Sequence, residues 1–192
     1  MAAFVICRYL WTGWFVVWLL WAFQSKQTQR KESPASRIGY TLVAWASMYL
    51  MFSPNPLRGQ WLGGILPYRA WIGRTGIAVT AAGFALTLWA RFRLGSNWSG
   101  AVTVKVGHEL VRTGPYRLVR HPIYTGLILA LAGTALALDQ WRGVAAVGLL
   151  WVSFTIKRLR EEQFMRQTFG AQYIDYSRNT GAIFPLLLRR NS

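Results

Sequence analysis

One short segment of the chain, Val106–Gly126, concentrates the residue types that carry out chemistry. It contains both histidines of the sequence, His108 and His121. It also carries one carboxylate and three guanidinium groups, on Glu109, Arg112, Arg117 and Arg120. Proline follows glycine at 114–115 and histidine at 121–122, so this central segment is predicted to bend and to expose backbone amide and carbonyl groups. Such backbone suits a cavity or ligand site, or a basic interfacial loop whose arginines bind lipid phosphate.

A second cluster of charged residues follows the last apolar run of the sequence: Lys157, Arg158, Arg160, Glu161 and Glu162. On a helix this cluster can be an ordinary solvated face, with ion pairs four residues apart such as Lys157 with Glu161 and Arg158 with Glu162. If the cluster lies on the same side of the protein as the central segment, the two can hold between them a polar cofactor that has cationic and hydroxyl groups.

The composition is that of a membrane protein. Of the 192 residues, 53% are hydrophobic and 11 are tryptophan, which is too apolar for an ordinary soluble domain. The net charge of +16 lies in the gaps between apolar runs, which argues against a nucleic-acid partner and favours anionic membrane lipids. Two histidines and the single, distant Cys7 make a metal site improbable and exclude an intrachain disulfide.

Five apolar runs predict an all-α integral membrane protein with about five transmembrane helices, at residues 3–23, 38–53, 71–90, 123–138 and 144–156. The first run has no small-residue cleavage site after it and is interpreted as an uncleaved span. Small residues recur at helical spacing in the third run, at Gly73, Gly76, Thr80, Gly83 and Thr87, and would let a neighbouring helix approach closely. The polar segment 24–37 is predicted to be a loop. Residues 139–143 are predicted to join a helical hairpin, and the tail from Lys157 to be a helix that turns at Gly170.

The distribution of basic residues predicts the orientation of these spans. With the N-terminus outside, the cytoplasmic side receives four Lys and Arg in residues 24–37, six in 91–120 and seven from 157 onward, which is 17 of the 22. This excess favours the five-span topology by the positive-inside rule. It places the central segment and the second cluster together on the cytoplasmic face.

The run NWSGAVTVKVGHELVRTGPYRLVRHPIYTG, followed after an apolar hairpin by REEQFMRQTFGAQYIDY, resembles the isoprenylcysteine carboxyl methyltransferase family, which is related to the membrane phospholipid N-methyltransferases. The resemblance covers roughly residues 95–185. It implies a membrane enzyme that transfers the methyl group of S-adenosylmethionine to a lipidic or amphipathic acceptor. Residues 1–192 then form a single membrane domain, in which 1–94 are scaffold and 95–192 are the catalytic half.

The resemblance also implies roles for individual residues. The cofactor site would be formed by His108, Glu109, Leu110, Val111, Tyr116, Arg120, His121, Pro122, Ile123, Tyr124 and Glu161. Glu161 can accept hydrogen bonds from the cofactor's ammonium or ribose hydroxyls, and the Tyr124 ring can lie against its sulfonium. Lys157 occupies the place where the family has a basic residue facing the acceptor. Ala182 departs from the family, whose members often carry a basic residue there, so this loop lacks that contact to the acceptor.

The acceptor is left open by these residues. Methyl transfer by in-line displacement needs alignment and exclusion of water more than it needs acid or base. A carboxylate acceptor is already nucleophilic, so Lys157 or Arg158 would suffice to place it. An amine must first lose a proton, and Glu162 is then the nearest candidate base.

We favour the carboxylate of a prenylated cysteine, because three cations crowd this end of the helix. Phosphatidylethanolamine and a small thiol are alternative acceptors. A nicotinamide-dependent enzyme like the membrane sterol reductases, which are longer, and a non-enzymatic lipid-binding protein are the remaining alternatives.

Overall fold

The computed structural model describes residues 2–22, 28–31, 33–54, 64–66, 69–95, 98, 103–105 and 110–186. Its regular elements follow the chain in this order: α1 (Ala2–Ala22), β1 (Thr28–Lys31), α2 (Pro34–Phe52), α3 (Ala70–Leu94), β2 (Thr103–Lys105), a 3-10 turn (Gly114–Arg117), α4 (Pro122–Leu138), α5 (Trp141–Phe169) and α6 (Ala171–Asn179). The described part of the chain is therefore predominantly helical, which confirms the all-α part of the predicted fold class.

The described residues of the five predicted apolar runs lie in helices, with the exception of Ser53, and the bounds differ most at α2 and α5. α2 begins at Pro34, inside the predicted loop, because proline fits the first turn of a helix, where its missing N–H needs no partner. α5 begins at Trp141, so only two residues join it to α4 and the predicted five-residue connection 139–143 is wrong. The first of these two, Asp139, ends α4 in the left-handed conformation, which reverses the chain at once.

The charged tail forms one helix with the last apolar run. α5 continues without interruption through the second charged cluster to Phe169. Gly170 then turns the chain into α6 with φ 51°, a conformation that glycine adopts without strain. The predicted turn at this glycine is confirmed.

The polar segment 24–37 contains a strand that the sequence did not predict. β1 pairs with β2 in an antiparallel ribbon, with Thr28 opposite Lys105 and Lys31 opposite Thr103. Both strands are short, so neither shows enough alternation of apolar and polar residues to be recognised from the sequence alone. They also lie about 75 residues apart in the sequence. The ribbon places the connection after α1 beside the connection after α3.

α3 and α4 form the most extensive helix pair and approach each other through small residues. A Cβ atom on Gly83 would lie 2.5 Å from backbone atoms of Gly126 and Ala130, and one on Gly76 would lie 2.7 Å from the carbonyl oxygen of Gly133. A larger side chain at either glycine would push the two helices apart. The close approach predicted from the small residues of the third run is therefore confirmed.

Polar side chains fix which helices face each other. Trp11 Nε1 on α1 donates a hydrogen bond to Thr134 Oγ1 on α4 at 2.9 Å. On the other side of the bundle, Ser153 on α5 donates to the carbonyl oxygen of Tyr40 on α2 at 2.7 Å. Between helices with apolar surfaces, such bonds satisfy groups that would otherwise stay unpaired. The second bond also brings Tyr40 next to the charged part of α5.

By length and apolarity, α1 and α3 are the two described helices that can cross a membrane. α1 exposes large apolar side chains such as Phe15 and Leu20, and α2 exposes Leu42 and Trp45. Such a surface suits lipid better than water. The ribbon, the central segment and α6 lie at one end of the bundle, which we call the site end. The starts of α1 and α3 and the α4–α5 turn lie at the opposite end.

Candidate functional site

The central segment is bent at the two predicted places. Gly114 begins the 3-10 turn with φ 61°, and a Cβ atom there would lie 3.0 Å from the side chain of Arg93. Glycine adopts this left-handed conformation without strain, and any larger residue would also require the Arg93 side chain to shift. Further along, His121 is the N-cap of α4 and Pro122 is its first residue.

The chain after α6 runs alongside the central segment and accepts hydrogen bonds from its backbone amides. The amide of Arg120 donates to the carbonyl oxygen of Gly181 at 2.8 Å, and the amide of His121 donates to that of Ala182 at 3.0 Å. Ala182 thus contributes its backbone to this part of the structure. These two bonds hold residues 120 and 121 in place, and their side chains point to α5.

Glu162 is the centre of the ionic network at the site end. Its Oε1 accepts hydrogen bonds from Arg120 Nη2 at 3.0 Å and Nε at 3.3 Å, and lies 3.2 Å from His121 Nε2. Arg158 and Arg166, one turn before and after it on α5, lie 3.7 and 3.6 Å from the carboxylate. Burial would raise the pKa of Glu162, but the hydrogen bond from His121 and the charge of Arg120 outweigh it and lower the pKa to about 2.

Glu161, the neighbouring carboxylate, faces a different set of groups. Tyr124 Oη donates to its Oε1 at 2.5 Å, and His121 Nδ1 lies 3.4 Å from its Oε2. Burial would raise the pKa of Glu161, but the hydrogen bond from His121 and the charge of Lys157 leave it below its ordinary value. Glu161 is therefore an ionised carboxylate at neutral pH.

His121 bridges the two carboxylates and stacks on the tyrosine below it. Burial would lower its pKa, but the hydrogen bonds to Glu161 and Glu162 raise it above the ordinary value. A protonated imidazole can donate to both carboxylates at once. Its ring lies parallel to that of Tyr124, at 5.3 Å between centroids, and Tyr124 in turn stacks on Phe154 at 4.5 Å.

Lys157 lies between two aromatic rings at the apolar side of this network. Its Nζ is 5.4 Å from the centroid of the Tyr124 ring and 5.8 Å from that of the Tyr40 ring. Both distances are in the range of cation–π attraction. The lysine therefore joins α5 to α2 as well as to α4, directly beside Glu161.

Tyr116 forms the buried floor of the central segment. Only 6% of its surface is exposed, and Tyr176 on α6 donates to its backbone carbonyl oxygen at 2.7 Å. Its own hydroxyl makes no hydrogen bond within the described part of the chain. Burial, followed by the nearby charge of Glu161, raises the pKa of Tyr116 well above its ordinary value. The hydroxyl is thus a neutral donor that is available to a ligand.

Most of the predicted site residues lie in one continuous region of the structure. Those brought together by the contacts above, or by adjacency to them in the chain, are Tyr116, Arg120, His121, Pro122, Ile123, Tyr124, Lys157, Arg158, Glu161 and Glu162. Val111 packs against the hydrophobic core that contains Tyr116 and Tyr124, and Leu110 beside it is half-buried. The predictions for His108 and Glu109 lie outside the described residues.

Sequence reasoning missed several residues of this region: Tyr40, Phe154, Arg166 and Tyr176. Arg166 could have been found, because it repeats the four-residue spacing that joins Arg158 to Glu162. Tyr40 carried no such signal, since its place opposite Lys157 depends on how α2 packs against α5.

Comparison with known proteins identifies the class to which this fold and site belong. The profile of the phospholipid methyltransferase family matches residues 71–172. The chain belongs to this family.

The similar proteins point to one branch of membrane methyltransferases. Protein-S-isoprenylcysteine O-methyltransferase B of Arabidopsis thaliana is 27% identical over 120 residues, which cover 61% of each chain. A probable enzyme of the same name from Oryza sativa subsp. indica is 36% identical over 81 residues, 42% of each chain. The Mus musculus protein is 30% identical over 120 residues, covering 61% of this chain and 42% of the mouse chain. The predicted resemblance is confirmed.

A solved structure agrees with these sequence relatives. The eukaryotic intramembrane Ras methyltransferase, isoprenylcysteine carboxyl methyltransferase, superposes with a TM-score of 0.58 at 27% identity, covering 82% of this chain and 55% of that one. The chain matches less than two thirds of the length of each of these relatives.

Proposed function

We propose that this protein is an integral-membrane methyltransferase that uses S-adenosylmethionine and methylates the carboxylate of a prenylated cysteine or a closely similar lipidic acceptor. The observation that carries the proposal is the arrangement of Glu161. This ionised, largely buried carboxylate is held by His121 and Tyr124, with Lys157 beside it. The names of the relatives indicate the reaction class. The Glu161 carboxylate suits a cationic cofactor, and the Lys157 ammonium suits an anionic acceptor.

The residues present fit S-adenosylmethionine. The bound cofactor would supply an electrophilic methyl group on a sulfonium. Each Glu161 oxygen retains lone pairs for an ammonium or ribose hydroxyl after accepting one hydrogen bond. The Tyr116 hydroxyl is a further donor without a partner in the described chain. The stacked rings of Tyr124 and Phe154 form an aromatic wall against which an adenine base can pack.

Lys157 supports an anionic acceptor. The ammonium lies beside Glu161 at the apolar end of the charged part of α5 and is held between the rings of Tyr40 and Tyr124. A cation at the apolar end of the charged part of α5 can bind the carboxylate of an acceptor while the lipid chain of that acceptor stays between the helices. An approaching ammonium would be repelled at the same place.

Glu162 fits an anchoring role better than the role of a general base. A carboxylate whose pKa is about 2 holds protons weakly, and its oxygens are engaged by Arg120, His121 and two further arginines. An amine acceptor would need a base with a pKa near the working pH. We therefore assign Glu162 to positioning Arg120 and His121, which argues against phosphatidylethanolamine as the acceptor. A thiol acceptor has the same need for deprotonation.

We further propose that the site end faces the cytoplasm and that α2, α4 and α5 cross the membrane together with α1 and α3, which are long and apolar enough to do so on their own. Successive helices end alternately at the two ends of the bundle, which supports this proposal. Of the 22 Lys and Arg residues, 17 also lie in the segments that were assigned to the cytoplasmic side. The acceptor would then enter sideways from the cytoplasmic leaflet. Anionic lipids would surround the basic residues of the site end.

Methyl transfer to a defined acceptor tests this function. The purified protein would be incubated with methyl-labelled S-adenosylmethionine and a farnesylated cysteine that has a free carboxylate, with the carboxamide form as the matched control. We expect label only in the free acid, and its release as methanol in alkali, because an ester is base-labile. Stable label in phosphatidylethanolamine, or in a small thiol, would contradict the proposed acceptor. Oxidation of NADPH without methyl transfer would favour the reductase alternative.

A further inference from the structure

A cavity of about 500 Å³ lies between α1, α3 and α4 at the opposite end of the bundle. Its volume is in the range of small-molecule sites. α4 separates it from the candidate functional site by 17 residues, about 25 Å of helix. The cavity is therefore a second feature, which methyl transfer does not use.

The walls of this cavity are apolar and its rim is cationic. Ile6, Ile72, Ile77 and Leu136 contribute to the lining from three helices, whereas Arg69 and Arg74 stand at the start of α3. Both arginine side chains are exposed, and neither makes a hydrogen bond or an ion pair with the part of the chain that the structure describes. Two guanidinium groups beside an apolar wall complement an amphipathic anion.

One carboxylate also lines the cavity, and it is already engaged. Asp139 Oδ1 accepts hydrogen bonds from the backbone amides of Ile65 and Leu66 at 3.1 and 3.0 Å. These bonds hold the chain before α3 against the α4–α5 turn. The lining thus combines two cations that have no partner among the described residues with one partnered anion, so the described lining has a net positive charge.

We propose that this cavity binds one anionic glycerophospholipid of the membrane leaflet at the opposite end. The phosphate group binds Arg69 and Arg74, and the first carbons of the acyl chains lie against Ile72 and Ile77. The cavity sits where α1 and α3 begin, which is the level of lipid headgroups for helices that cross a membrane. The lipid fills the space between α1 and the α3–α4 pair.

Native mass spectrometry of the delipidated protein tests this site. Titration with phosphatidylglycerol and with phosphatidylcholine of the same acyl chains should show one tightly bound phosphatidylglycerol, with a Kd at least about tenfold lower than that of phosphatidylcholine. Arg69→Gln combined with Arg74→Gln should abolish this preference. Ile77→Trp, which places a larger side chain in the cavity, should weaken the binding of both lipids while circular dichroism shows an unchanged helix content.

The matched control removes the same charge elsewhere. Arg8 and Arg178 are exposed and do not line the cavity, so the double variant Arg8→Gln with Arg178→Gln should keep the preference. Equal loss in this control would show a general charge effect and overturn the proposal. Equal affinity of the wild-type protein for both lipids would also overturn it. Binding of glycerol phosphate as tight as that of phosphatidylglycerol would mean that the site takes a free phosphate instead of a lipid.

Discussion

The Nε2 atom of His121 and the Oε1 atom of Glu162 lie 3.2 Å apart, although the two residues are 41 positions apart in the sequence. The contact joins the N-terminus of α4 to the charged part of α5. It therefore couples the backbone bend that shapes the central segment to the helix that carries the proposed acceptor site. Ionisation of this pair should govern both stability and function.

Glu162→Gln should destabilise the protein by about 3 to 5 kcal/mol, because the buried guanidinium of Arg120 loses its counter-charge. The free energy of unfolding in mixed detergent micelles is the measurement. The double variant Arg120→Met with Glu162→Met should recover a large part of this loss, since it removes both buried charges together. A wild-type stability of Glu162→Gln would show that the network does not hold the site.

Stability should depend on pH at both ends of a window that these residues set. The lowered pKa values of Glu161 and Glu162 add stability above pH 4.5, and it is lost as the pH falls toward about 2. The raised pKa of His121 adds stability that is complete below 6.5 and is lost as the pH rises through the higher folded value. Thermal unfolding in detergent should therefore show a maximum between these limits.

The loss of stability at alkaline pH is assigned to His121, and a variant of this residue tests the assignment. His121→Gln should flatten the loss of stability above pH 6.5. The acidic limb should become smaller but persist, because Glu162 still pairs with Arg120 and the charge of Lys157 still acts on Glu161. An unchanged alkaline limb in this variant would assign it to another group.

Lys157→Met should raise KM for the prenylated acceptor by about tenfold to hundredfold, which corresponds to a lost charge-assisted hydrogen bond of 1.5 to 3 kcal/mol. The Kd of the cofactor should change little, because Glu161 and not Lys157 is assigned to it. Arg160→Met is the matched control, since it removes an exposed cation three residues further along the same helix. A wild-type KM in Lys157→Met would exclude the proposed acceptor contact.

Tyr40→Leu should also raise KM, by a smaller factor, because it removes one of the two rings that fix Lys157 and leaves the ammonium. The readout that separates this from a merely structural role is the split between parameters: KM should rise while kcat at saturating acceptor stays near the wild-type value. A fall in kcat with unchanged KM would contradict the positioning role.

The proposed orientation is open to cysteine labelling in a Cys7→Ala background. Cysteines placed in residues 24–37 or at Arg178 should be protected from an impermeant thiol reagent that is applied outside, and one near residue 60 should react. Reaction of the Arg178 site from outside would contradict the five-span topology.

The sequence was sufficient to predict the helices and to predict that the central segment and the second charged cluster meet. Apolar runs of membrane length determine where helices form, and the glycine spacing around Gly83 is a direct signature of close helix packing. The two proline positions of the central segment predicted its bends because proline restricts the backbone wherever it occurs.

What the sequence could not give are the relationships that depend on helix rotation. Glu161 and Glu162 look interchangeable in the chain, but adjacent side chains on a helix point about 100° apart. One therefore faces Tyr124 and the other faces Arg120. The β1–β2 ribbon and the contact of Tyr40 with Lys157 were missed for a second reason. Both arise from packing between segments that are distant in the sequence.

Equilibrium binding of S-adenosylmethionine to the purified protein tests the central claim most directly. The wild-type protein should bind it, and NADPH should not compete. Glu161→Gln should raise the Kd by about tenfold to hundredfold, whereas Asp175→Asn, which removes an exposed carboxylate at the same end, should leave it unchanged. Equal affinity of wild-type protein and Glu161→Gln, or displacement of S-adenosylmethionine by NADPH, would contradict the account.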